Sequence, residues 1–289
     1  MWAAYAIYFA VIKAVNFYIF KKLTRDFSPI TQLVNTFLFS IPFAFVILLI
    51  FFQIPAVTPS FYFFVFCSAA LDLVAFFLTF KAFKMEDISL LAPLSAFIPV
   101  FSLIFAALFL HEYPGALKIM GILLVVIGTY VLNLSDTKKG IFKPLTRLFS
   151  SRALIFFLIA NFIWSITPLF QKKAILATSP VTPLYVSFVG FCIITILSFV
   201  IAFLKREKIF INTRKNWKIL SIHGFIGTTS QMAAFTAFAL APLAYSLSLF
   251  NISTLVTIGI GAVFLKEHKT KDRFFGALIM IAGSILIIF

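Results

Sequence analysis

Residues 106–128 read AALFLHEYPGALKIMGILLVVIG, and residues 261–283 read GAVFLKEHKTKDRFFGALIMIAG. Laid over each other at a shift of 155, they pair Glu112 with Glu267, Gly121 with Gly276 and Gly128 with Gly283. The same register holds further back, where Phe80, Ala82 and Phe83 meet Phe235, Ala237 and Phe238. At a shift of 151 the start of the chain matches its middle, pairing Lys21, Lys22, Ser28 and Pro29 with Lys172, Lys173, Ser179 and Pro180. Self-similarity at a fixed spacing marks a duplicated structural unit. The chain reads as one unit written twice.

Composition says what kind of unit it is. Of 289 residues, 62% are hydrophobic and 11% charged, and mean hydropathy is +1.10, far outside the range of a soluble domain. Apolar runs long enough to cross a hydrocarbon core of about 30 Å recur along the whole chain. They predict ten spans, at about 2–20, 31–52, 60–83, 89–110, 116–134, 153–171, 182–204, 218–240, 243–265 and 272–289. Each is expected to be helical, because backbone amides in lipid must pair within their own segment and the runs lack the alternating polar positions of a barrel. The fold expected is an all-α membrane protein, with repeats over 1–134 and 153–289 joined by the basic linker 135–152. Five spans per repeat is an odd number, so the second copy enters the membrane from the opposite side. The two form an inverted pair, an arrangement that supports alternating access around a midplane site.

The net charge of +15 would suggest nucleic acid in a soluble protein. Here the basic residues gather at span ends, where they face lipid headgroups and set topology, so no nucleic-acid partner is expected. Loops after odd-numbered spans hold 20 Lys and Arg, whereas loops after even-numbered spans hold only Lys118, Lys172 and Lys173. The positive-inside rule makes the odd loops cytoplasmic and puts both termini outside. The first span lacks a basic n-region and a small-residue cleavage site, so it is expected to stay as a helix, with the plasma (inner) membrane as the expected location. Cys67 and Cys192 fall within spans and predict no disulfide framework.

The repeat residues also carry a family resemblance. The LFLHE and FLKE ends followed by Gly121 with Gly128 and Gly276 with Gly283, ten spans, and the duplicated KK…SP resemble the EamA family of the drug/metabolite transporter superfamily. The resemblance covers nearly the whole chain. It implies a ten-helix carrier of two inverted five-helix repeats, with a central cavity lined chiefly by helices one, three, four, six, eight and nine. It also implies termini in the cytoplasm, the reverse of what the charge bias predicts.

Lys13 lies in the first span and is the one basic residue of 24 outside span ends and loops. Charge at membrane depth costs several kcal/mol on insertion scales, so it calls for a partner, a wet cavity or a function. Asp72, at similar depth in the third span, is the available counter-ion. A salt bridge that merely locks two helices is the plain alternative; the functional reading makes the two a substrate site, with possible ion coupling to protons through Asp72 and Lys13. Distantly related small multidrug antiporters carry a midplane glutamate near the place of Lys13. The reversed sign disfavours cationic drugs and favours a carboxylate or phosphate.

Asn16 shares a face with Lys13 at i, i+3 spacing, and Trp164 takes the place of Lys13 in the second repeat. With Phe76, Gln231 and Asn251 these complete the cavity candidates, while Thr79, Asn161, Thr167, Ser253, Thr254, Phe80 and Tyr245 are weaker, since hydroxyls often glue transmembrane helices. Pro93, Pro99 and Pro168 are hinge candidates because each removes a backbone hydrogen bond. Gly224, Gly227, Gly259 and Gly261 suit close helix approach. Glu112 and Glu267, beside His111 and His268, read as helix-end polar groups rather than metal ligands. With no zinc spacing, phosphate loop or nucleophile elbow, neither a cofactor nor enzymatic activity is expected.

The reading is a secondary transporter of a small polar metabolite such as an amino acid or organic acid, with a solute and membrane lipid as partners and a monomer as the default. The alternatives are a proton-coupled multidrug exporter and a non-transporting membrane scaffold.

Overall fold

The computed structural model describes residues 1–51, 54–86, 88–134, 151–256 and 271–289. In chain order the helices are α1 (Trp2–Leu23), α2 (Pro29–Ile50), α3 (Pro59–Met85), α4 (Ile88–Leu91), a 3₁₀ segment (Ala92–Ala96), α5 (Phe97–Leu110), α6 (Ala116–Leu134), α7 (Arg152–Leu176), α8 (Pro183–Leu204), α9 (Thr213–Leu240), α10 (Leu243–Phe250) and α11 (Lys271–Ile288). Prolines open α2, α3 and α8, where the missing N–H removes no helical bond. Ser28 caps α2 by accepting from the Thr31 amide at 3.2 Å.

Among the described residues five helices are long and apolar enough to cross a bilayer: α1, α2, α3, α7 and α8. Shorter apolar helical stretches run over Leu94–Leu110, Ala116–Val131, Leu243–Val256 and Phe275–Ile288. Large apolar side chains stand exposed on the outside, among them Leu49, Phe63, Leu108, Val200 and Phe225. Buried Ser, Thr, Asn and Gln lie within. This inside-out distribution suits a protein whose solvent is lipid.

Helix ends differ from the sequence expectation in a consistent way. α1 continues past residue 20 to Leu23, α7 past 171 to Leu176, and α9 starts at Thr213 rather than 218. Hydropathy marks where apolar surface ends, whereas a helix runs on wherever its polar residues find partners. The fourth span is also not one continuous helix: α4, the 3₁₀ segment and α5 share it. Pro93 lies in the 3₁₀ segment. Pro99 sits in the first turn of α5, where proline is tolerated and does not kink. Pro168 lies inside α7 and Pro42 inside α2, the latter overlooked in the sequence reading. The ninth span is interrupted too, by a turn at Asn251 after α10. Shifted by 155, that turn falls on Ala96, the last residue of the 3₁₀ segment. Residues 257–270, with Gly259, Gly261, Glu267 and His268, lie outside the described residues.

Packing follows the duplication. α3 lies along α7 and α1 along α9, while α2 packs on α8 and α6 on α11. Exchanging the halves turns the first pair into the second and maps each of the other two onto itself. The α6–α11 contact explains the glycines of the quoted stretches. A Cβ on Gly121 would stand 2.8 Å from the carbonyl oxygen of Gly283, and one on Gly128 would stand 2.8 Å from that of Gly276. Only bare backbone lets the helices approach so closely.

The duplicated lysines also have matching work. Lys21 Nζ donates to the carbonyls of Phe83 and Glu86, both at 2.7 Å, across the break between α3 and α4. Lys172 Nζ donates to the Ala241 carbonyl at 2.8 Å, across the break between α9 and α10, and pairs with Glu112 at 2.6 Å. The other oxygen of Glu112 accepts from the Leu243 amide at 2.8 Å, capping α10. Glu112 is therefore a helix-end group, as its position suggested. His111 ends α5 in a left-handed conformation.

Loops join the halves at both ends of the bundle. Ala56–Val57 pairs antiparallel with Thr178–Ser179. In the exchange-related place, Asp26 accepts from Lys215 at 2.9 Å and Asn216 at 3.0 Å, and Ser28 donates to Glu207 at 3.0 Å. The Lys215 hydrogen bond, seconded by Asn216, holds the Asp26 carboxyl below the usual range.

Candidate functional site

The two halves enclose a cavity of about 1040 Å³, part of it open to the surroundings. α1 supplies Phe9, Lys13, Asn16, Phe17 and Phe20; α3 supplies Asp72 and Phe76; α5 supplies Ile98. From the second half come Trp164, Thr167, Pro168 and Gln171 of α7, His223, Gly227 and Gln231 of α9, Phe250 of α10, and Asn251. α2 adds Thr36 and Ser40 and α8 adds Phe191, so the second and seventh spans join the six implied by the resemblance.

All seven cavity candidates from the sequence, Lys13, Asn16, Asp72, Phe76, Trp164, Gln231 and Asn251, line this one space. Of the weaker candidates Thr167 joins them. Phe80 is instead fully buried against Phe20, with centroids 4.9 Å apart, and Tyr245 packs against Trp2 at 6.2 Å. Thr79 and Asn161 are buried off the cavity lining with unbonded side-chain atoms. Ser253 and Thr254 are buried but outside the lining as well. Gly224 presses on α2, where a Cβ would collide with the Phe39 carbonyl oxygen. Gly227 instead leaves room for the His223 ring.

The salt bridge between Lys13 and Asp72 is not formed. Among the described residues Lys13 has no ion-pair or hydrogen-bond partner, and its ammonium stands 5.5 Å from the ring centroid of Phe17. An aromatic face attracts a cation but leaves its hydrogen-bond donors unused. Asp72 takes another partner: Gln171 Nε2 donates to its Oδ2 at 2.8 Å, and the Trp164 indole acts on the same carboxylate. Trp164 meets Phe76 edge-on at 5.2 Å. The carboxylate is therefore satisfied by α7 on one wall, while the ammonium faces the cavity from another.

Among the lining residues that the sequence reading passed over, two carry hydrogen bonds at the site. Gln171 ended the apolar run of its span, just before Lys172 and Lys173, and so read as a boundary residue. In α7 it sits five residues before the helix end and is buried. His223 lay near the start of the expected eighth span. Because α9 begins at Thr213, this histidine is ten residues deep, its Nδ1 3.0 Å from Asn16 Oδ1 and its ring 4.8 Å from that of Phe20. The available signal was Asn16, a buried amide that needs a partner.

Asn251 ends α10 with its Nδ2 buried and unbonded. Gln231 has no side-chain hydrogen bond among the described residues. The cavity thus presents one ammonium and several unused amide and hydroxyl groups, framed by aromatic rings.

No curated protein matches this chain. A solved crystal structure, described only as that of a protein, is similar over 97% of this chain and 98% of its own, with 13% identity and a TM-score of 0.72, which speaks for a shared fold. The model of the EamA-like transporter family matches residues 1–134 and 151–289. With a match to both halves, this integral multi-pass membrane protein belongs to the EamA-like transporter family.

Proposed function

We propose that the protein is a secondary transporter that carries a small polar metabolite, anionic at one end, through the cavity around Lys13 by alternating access. The observation that carries this reading is the Lys13 ammonium, unpaired among the described residues, on a cavity built from both halves. An ionisable group at membrane depth without a protein counter-charge suits a site that receives its counter-charge from a solute. The exchange symmetry of the packing supports ten spans in two inverted repeats over 1–134 and 153–289, linked by 135–152. Such a pair has two equivalent arrangements around a fixed site. Asp72, held by Gln171 and Trp164, is the group that would change partner between arrangements and link transport to protons. Pro168 and the breaks around Pro93 and Asn251 are the bending points. The charge bias favours both termini outside, and a cavity enclosed by the two halves of one chain suits a monomer.

The aromatic lining favours a second reading, a multidrug exporter, although Lys13 opposes cationic drugs. Proteoliposome uptake of organic acids, amino acids and lipophilic drugs separates them. Lys13→Ala should lower metabolite uptake by about tenfold, the value of one lost charged hydrogen bond. Unchanged transport of every solute class by both Lys13→Ala and Asp72→Ala would remove this cavity from the account.

A further inference from the structure

We infer that His223 is a specificity-determining residue of the cavity, reading a hydrogen-bond donor that the solute carries next to its anionic group; this rests on the proposed reading of Lys13 as the anion site. His223 and Lys13 stand on one wall. Lys13 and Asn16 share a face of α1, and Asn16 Oδ1 lies 3.0 Å from His223 Nδ1. With that oxygen as acceptor, Nδ1 is the donor, and in the neutral ring Nε2 then keeps its lone pair. Nε2 has no hydrogen-bond partner among the described residues and belongs to a residue that lines the cavity.

The ring is packed between Phe20 and the bare backbone of Gly227. Phe20 lies against it at 4.8 Å. Gly227 lies one helical turn on, where a Cβ would come 2.9 Å from Cε1 and 3.1 Å from Nε2. The wall formed by α1 and α9 therefore offers the cavity both a cation and an acceptor nitrogen. Asp72 is engaged on the other wall by Gln171 and Trp164. The complementary ligand has a carboxylate for Lys13 and, on the adjacent carbon, an O–H or N–H directed at Nε2. A carboxylate with only hydrogen there leaves Nε2 desolvated and unpaired, which a polar site penalises.

The three-carbon series propionate, L-lactate and L-alanine varies only that substituent, as hydrogen, hydroxyl or ammonium. Uptake of each as a radiolabelled solute into proteoliposomes is the test. Lactate, alanine or both should exceed propionate by about tenfold in initial rate at low concentration, and which of them does so says whether hydroxyl or ammonium is read. In His223→Phe the ratio should collapse towards one. Gly227→Ala should do the same while keeping the histidine, because the new methyl displaces the ring and alanine suits a helix. Thermal melting of both variants controls for folding. Equal uptake of all three by the wild type, or a ratio that survives both substitutions, overturns the role of His223 alone. Absence of uptake of any of the three overturns the Lys13 reading together with it.

Discussion

Gly283→Ala tests the packing that joins the two halves. The new Cβ would lie 2.6 Å from the Gly121 carbonyl oxygen and 2.8 Å from both Leu124 Cβ and the Val125 nitrogen. A carbon rests about 3.3 Å or more from a carbonyl oxygen, so α6 and α11 must part by roughly 0.7 Å. None of the three atoms is the free end of a flexible side chain. Overpacking of this kind costs about 1–3 kcal/mol, which lowers the folded-to-unfolded ratio by roughly 5- to 150-fold. The assay is unfolding of the purified protein in detergent titrated with SDS, using Gly190→Ala as control, since a Cβ there meets nothing within 4 Å. The control should be neutral or slightly stabilised, because alanine favours a helix. Combining Gly121→Ala with Gly283→Ala should cost less than their sum, since the first separation makes room for the second methyl. A Gly283→Ala midpoint equal to that of Gly190→Ala would refute the close crossing.

Two further outcomes follow from the polar ties at the bundle ends. Glu112→Gln removes the charge opposite Lys172 in a pair only 12% and 16% exposed; the loss should be on the order of 3 kcal/mol and largely recovered by adding Lys172→Met, both read in the same SDS titration. At Asp26 the folded-state carboxyl is depressed by Lys215 and Asn216. Its stabilisation is therefore present above the unfolded value of about 3.9 and is lost as pH falls through the lower folded value. Asp26→Asn should flatten that acid limb of the melting temperature, and an unaltered limb would count against the tie.

Much of the fold was legible because lipid imposes strong rules. Apolar runs give helices, and the duplicated LFLHE and FLKE segments give the repeat. Lys13, Asn16, Asp72, Gln231 and Asn251 were readable because polar residues inside apolar runs are conspicuous, and Trp164 because the repeat register sets it in the place of Lys13. What failed was pairing. Lys13 and Asp72 match in depth, yet depth does not fix the direction in which a side chain leaves its helix. Gln171 reaches Asp72 first because α3 lies along α7. His223 escaped notice because its depth depended on a helix start at Thr213, in the segment whose Lys215 and Asn216 bond Asp26.

The sequence by itself determined the solvent, the helical class and the doubling, since each follows from local composition or self-comparison. It also marked the glycines, although not their purpose. Only tertiary structure decided that Gly121 and Gly283 face each other across the α6–α11 contact, that Asp72 belongs to Gln171, and that Lys13 is left to the cavity beside His223. Those are relations between residues some 100 to 210 positions apart. They depend on how helices rotate and cross, which hydrophobic patterning along each chain segment does not specify.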